Sequence, residues 1–431
     1  MTNQVTILGL WLLLFPSLVK AEEPLVAPKP TEPVKEIDFR DPIPFGLPPV
    51  EYGLGQHTDA ASQLEQALSA RTLKLNYDSQ WGYLREVLKA LQIPESSQLM
   101  VFSKTALNPR LIKPENPRVI YFNDDVYIGW VPGAEKMEFA AVDPLKGTIF
   151  YELAVKAANE PRLVRSERCL ACHGGDSSLR IPGLLVRSFL TDQHGRPISG
   201  YSQISHDKPL EKRWGGWYVT GTHADMTHLG NLFNRDVIEA AKTNPALRAN
   251  LKQVDQFVDT AKYLHPHSDL VAHLILDHQV HAHNLITRAS MEQQLGLRSD
   301  VEQQLVRYLL FLDEAALAGP LQGTTDYQTW FEQSGKRDAS GRSLKDFDLQ
   351  TKLFRYRLSY LIYTDSFRKM PSAARNRILQ NIHTFLAASA AELEQSWDVD
   401  PAAFPVQERQ AILQIVAETL DNLPEFWRVS K

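Results

Sequence analysis

The sequence predicts an α+β protein, an antiparallel-sheet domain that carries a cysteine pair, followed by an all-α helical domain. Three observations predict it. Short β-rich runs separated by turn residues fill Gln98 to Thr220. Apolar residues at helical spacing dominate the chain beyond Asn231. Within the β-rich part, RSERCLACHGGD at 166–177 holds the only two cysteines of 431 residues.

The elements follow in order. An apolar run from Val5 to Phe15 is too short to span a bilayer, and Val19 and Ala21 fit the small-residue rule for cleavage after Ala21. Residues 1–21 therefore read as a signal peptide, although no Lys or Arg precedes the apolar run. The expectation is a periplasmic or otherwise exported protein whose mature chain does not span a membrane. Eight of the 26 prolines lie between Glu22 and Pro49, so residues 22–57 read as an extended linker that cannot pack a core. Residues 58–230 form the expected sheet domain, opened by helical spacing over 58–92. RVIYF and VYIGWV flank Asn123-Asp124-Asp125, KMEFAAV and TIFYELA flank Pro144 to Gly147, and GLLVRSFL and ISGYSQI flank TDQHGRP. Each is the pattern of a hairpin, and GGWYVTG closes the series as a last strand. Residues 231–431 form the helical domain, with helices expected in 231–262, 269–290, 301–317, 344–369, 372–389 and 406–421.

A net charge of −5 gives no basic face for nucleic acid, and two cysteines can form at most one bridge. The thirteen histidines are the compositional oddity, and most fall between His223 and His283.

Cys169-Leu-Ala-Cys172-His173 matches C-x-x-C-H, the pattern of covalent haem attachment. Two intervening residues let both sulfurs reach the two vinyl groups of one haem, and the histidine behind them can bind the iron. A redox-active C-x-x-C needs a thioredoxin-like βαβ surround, which is missing; a zinc site needs further ligands; a disulfide between the neighbours stays open. On these five residues the chain resembles the cytochromes c. The resemblance implies thioethers at Cys169 and Cys172, the proximal ligand at His173, and one covalent haem c. The run CLACHGG followed by SFLTDQHGRPISGYSQI also resembles haem-carrying PAS-like sensor domains, in which a D-x-x-G-x-P turn joins two sheet strands. With RWGGWYVTGTH and HLGN, the whole is similar to large exported single-haem proteins of unassigned function.

One C-x-x-C-H leaves the second axial position of the iron open. In RWGGWYVTGTHADMTHLGN, Gly215-Gly216 would let backbone approach a flat cofactor, and Trp214, Trp217 and Tyr218 offer aromatic walls. His223 is the leading sixth ligand, then His228, then His206 at a strand end; Met226 is the lone methionine between the motif and residue 290. His194 reads as a solvent-exposed turn residue, and His265 and His267 as loop residues. In 269–290, Ser268 is the expected N-cap and His278 lies on the apolar stripe. His273, Asp277 and His281 stand i, i+4 apart on a neighbouring polar face. The expected function is one-electron transfer with a redox partner protein. A haem enzyme, such as a peroxidase or small-molecule oxidase, and a gas or redox sensor are the alternatives.

Overall fold

The computed structural model describes residues 34–106 and 108–427, so the signal-peptide segment lies outside the described residues. The chain is mixed α+β. β1 (Lys35–Glu36) precedes α1 (Ala60–Ser69) and α2 (Leu84–Ala90). β2 (Leu99–Val101), β3 (Arg118–Phe122), β4 (Val126–Trp130), β5 (Lys136–Asp143), β6 (Gly147–Ala154) and β7 (Leu163–Arg165) form one sheet in sequence order, every neighbour antiparallel. There follow α3 (Leu170–His173), β8 (Arg187–Ser188), β9 (Ser202–Gln203), α4 (Arg235–Thr243), α5 (Leu270–Gln294) and β10 (Leu297–Arg298). The chain ends in α6 (Val301–Leu309), α7 (Tyr327–Gln333), α8 (Asp365–Arg368), α9 (Ser372–Ala387), α10 (Ala390–Trp397) and α11 (Val406–Thr419).

Turn chemistry sets the sheet register. Asn123 Oδ1 accepts from the Asp125 and Val126 amides, which closes the β3–β4 hairpin with Phe122 opposite Tyr127. Asp143 Oδ1 accepts from the Leu145 and Lys146 amides, and Gly147, at a φ of 75°, completes the β5–β6 turn. Alternation then sorts the side chains. Met137, Phe139 and Ala141 of β5, with Ile149, Tyr151 and Leu153 of β6, pack in one core with Leu64 of α1 and Leu84 and Val87 of α2. The opposite face carries Arg118, Ile120, Gly129, Glu138, Ala140, Phe150 and Glu152. At the hairpin end it carries Phe122 and Tyr127, which join the core around α5.

α5 is the axis of the molecule. Asp269, one residue after the expected cap, accepts from the Val271 and Ala272 amides. The helix is buried almost all round, so His273 and Asp277, expected on a polar face, lie in the interior. One hydrophobic cluster runs from Leu99 through α5 to Trp427. The sheet and the helices thus share a core across residue 231.

Several expectations are corrected. From Val34 on, the Pro-rich stretch is not a free spacer: β1 pairs with β10, and Ile43 and Val50 are buried against Ile181 and Met291. Isolated apolar residues between prolines suffice to dock an extended strap. GGWYVTG makes no sheet strand; Trp217 and Thr220 form single bridges to Val101 and Asp269. The hairpin expected across TDQHGRP forms, β8 against β9, but as a sheet of its own. Residues 344–369 contain one helical turn, α8, and a 3₁₀ turn at Tyr360–Tyr363; the aromatic spacing instead stacks Phe354 on Phe347 and Phe331. In 231–262 the α-helix is confined to α4. α7 and α10 were not anticipated, although Ser389 and Glu392 form a capping box legible in sequence.

Candidate functional site

After β7 the chain makes a 3₁₀ turn at Glu167–Cys169 that runs directly into α3. Helical spacing puts Cys169 and Cys172, three apart, on one side of this turn, with His173 one position further on. Both thiols are free; Cys172 is exposed and Cys169 half-buried. Burial raises the Cys169 pKa, helped by the carboxylates of Glu138 and Glu152 and opposed by Arg118. Those three residues project from β5, β6 and β3, so the cysteine turn lies against the sheet face opposite α1 and α2.

His173 is held at three points. Its Nδ1 is 2.9 Å from the carbonyl of Gly183, and a carbonyl can only accept, so Nδ1 carries the proton. Its own carbonyl accepts from the Gly183 amide at 2.9 Å. Its ring lies on Phe150 of β6, centroids 4.8 Å apart. Desolvation lowers its pKa to about 4, with a contribution from the charges of Arg118 and Arg187. At neutral pH the imidazole is therefore uncharged, with Nε2 as a bare lone pair. Gly183 is in turn fixed by α5: Asn284 accepts from the Leu184 amide and donates to its carbonyl, as a neighbouring strand would. A Cβ on Gly183 would come within 2.5 Å of Asn284 Oδ1, so only glycine allows this approach.

Two arginines border the turn. Arg118 pairs with Glu138 at 2.7 Å, while its Nε is buried and unpaired. Arg187 lies over the Tyr201 ring at 4.7 Å; its Nε is also buried and unpaired, and among the described residues no carboxylate forms an ion pair with it. Its backbone carbonyl accepts from the Trp217 indole at 2.9 Å.

The other predicted residues form a second neighbourhood along α5. Trp214 is fully buried and donates to Asp277, which also pairs with Arg213 at 3.2 Å. Burial raises the Asp277 pKa to about 6, against the pull of Arg213. His206 stacks on Tyr308, centroids 3.9 Å apart, and its Nδ1 is 2.8 Å from Nδ1 of His278, whose Nε2 meets Ser359 Oγ at 2.7 Å. His278 is thus a packed core histidine with two hydrogen bonds rather than one. His223 Nδ1 donates to the Met226 carbonyl, and its ring meets that of His228, which packs on Trp214. His194 is exposed, and His265 and His267 lie in a loop.

The structure does not bring His223 to His173. Gly221 packs on Leu270 at the start of α5, whereas Gly183 packs on Asn284 fourteen residues along it, about 21 Å at 1.5 Å per residue. Trp217 is the one member of the predicted aromatic wall tied to the cysteine turn, through Arg187. Phe150, Gly183, Asn284, Arg118 and Arg187 were missed by sequence reading. Their only signal was position in a β-rich run, beside Pro182 or, for Asn284, in the expected helix 269–290, because their roles depend on contacts between distant segments. Among the described residues no group of three or more His, Cys, Asp or Glu is arranged to hold a metal ion, and no helix is long and apolar enough to cross a membrane. No protein family, curated protein or solved structure matches the chain.

Proposed function

We propose that this protein carries one haem c on Cys169, Cys172 and His173 and passes single electrons to a redox partner protein. The observation that carries the reading is the wiring of His173. A neutral imidazole whose Nδ1–H is fixed on a backbone carbonyl presents Nε2 as a ligand of set tautomer and orientation.

The residues present fit the group. The two thiols, on one side of a single turn, would each add S and H across a vinyl double bond, forming a thioether with no leaving group. Phe150 of β6 supplies an apolar ring on the sheet face beside the turn. Haem iron, when bound, supplies a one-electron couple. The exposed Cys172 would place an edge of the group at the surface, where a partner can exchange electrons. Export, expected from residues 1–21, suits attachment outside the cytoplasm. The PAS-like likeness extends the reading to a ligand-sensing sheet domain ahead of a helical one. Its support is the antiparallel sheet beside the motif and the turn at Asp192, whose side chain accepts from the His194 and Arg196 amides.

The test is expression with a haem c maturation system, followed by intact mass and absorption spectra with and without carbon monoxide. One covalent haem per chain is expected. Two free thiols or a simple disulfide in the mature protein would end the haem reading. A haem that takes up carbon monoxide would favour the sensor or enzyme alternative over electron transfer.

A further inference from the structure

We infer that Arg187, seconded by Arg118, is the binding site for the carboxylate side chains of the bound haem, its propionates; this rests on the haem reading above. Arg187 is a partly buried cation that forms no ion pair with a carboxylate among the described residues, and its Nε is buried and unpaired. A guanidinium left so favours an incoming carboxylate, because burial without a partner is unfavourable. It is also held in place. The Trp217 indole grips its carbonyl, the Tyr201 ring lies under its guanidinium, and β8 pairs with β9 at this residue. Arg118 repeats the pattern on the sheet side, with one nitrogen on Glu138 and Nε unpaired over Gly129, where any Cβ would strike its guanidinium. Both cations border the loop of His173: Tyr201, under Arg187, bonds Ser177 Oγ at 2.7 Å, Gln203, opposite Arg187, donates to the Ser177 carbonyl at 2.7 Å, and Arg118 shares its sheet face with Phe150, on which the His173 ring packs. A haem fixed by Cys169, Cys172 and His173 brings two carboxylates to the same neighbourhood, and the planar fork of arginine matches a carboxylate in two parallel hydrogen bonds.

The experiment compares the haem-loaded wild type with Arg187→Gln and Arg187→Lys by intact mass, midpoint potential and the propionate bending band in the resonance Raman spectrum. Arg187→Gln should lower the midpoint potential, because an uncompensated carboxylate favours ferric iron, and should shift the propionate band. Arg187→Lys should restore most of the potential, since the charge is kept, yet leave the band shifted, since the two-point geometry is lost. If Arg187→Gln does not accumulate, Arg187→Lys decides alone by its Raman band. Covalent haem in all three proteins, with unchanged potential and band in the variants, overturns the Arg187 assignment and leaves the haem reading standing. A wild-type chain without covalent haem overturns both.

Discussion

The cysteine turn and the histidine cluster along α5 are built from similar residues and put to opposite uses. At the turn, the thiols are free, one imidazole nitrogen is left bare, and the nearby cations keep unpaired donors. Along α5, His206, His278, Asp277, Arg213 and Trp214 are buried, stacked and bonded to one another, although His206 Nε2 and Asp277 Oδ1 make no hydrogen bond. The difference teaches that histidine density marks where a core has taken in polar groups as readily as where a cofactor sits. A buried polar group must find partners, and each partner it finds commits it to the fold.

If that contrast is right, perturbing the α5 cluster should cost stability, and perturbing the turn should cost haem. The largest effect should come from acid. Desolvation lowers the folded-state pKa of His273 and His278 to about 3 and of His281 and His283 to about 4. Below about pH 6.5 the unfolded chain binds protons that the folded chain refuses. Stability contributed by these neutral imidazoles is complete above that pH and falls as pH drops toward 4. Each histidine adds up to about 1.4 kcal/mol per pH unit to the slope. Urea unfolding between pH 7 and 4.5 measures it, and a flat profile would contradict burial of the cluster.

Asp277→Ala comes next. It strands the Arg213 guanidinium and the Trp214 indole in the interior, and loss of one partner of a buried pair costs about 3–5 kcal/mol. Chemical denaturation should read that loss, while the haem spectrum of whatever folds should stay as in the wild type. His206→Ala removes the stack on Tyr308 and the bond to His278, for a loss on the order of 2 kcal/mol. A change of iron spin state in this variant would return His206 to the list of ligands.

Smallest in stability should be Cys169→Ala with Cys172→Ala, compared in the haem-free chain. Neither thiol is fully buried, so unfolding should shift by no more than about 0.5 kcal/mol. In the matured protein the same pair should abolish covalent haem in the intact mass. His223→Ala closes the series with no expected spectral change, since the segment that carries it packs at the start of α5, far along that helix from the loop that holds His173. A low-spin haem turned high-spin by this substitution would break the comparison between the two regions.

Local chemistry made part of this protein legible in its sequence. Asn123 and Asp143 announce their hairpins because their side chains cap their own turns, and α9 and α11 follow from apolar spacing after Pro371 and Pro405. Cys169, Cys172 and His173 stand together by covalent spacing alone, so no fold was needed to single them out. What surrounds them was decided only in three dimensions. The Gly183 carbonyl that orients His173 sits ten residues away and is held by Asn284, a hundred residues beyond Leu184. The helical spacing of 344–369 was overruled because its aromatic rings gained more from stacking on Phe331 than from a helix of their own. His223 and His206 read as candidate sixth ligands in sequence because residue type carries no record of depth. Burial and partner choice are properties of the packed core, and they decided which of the remaining imidazoles hold α5 in place.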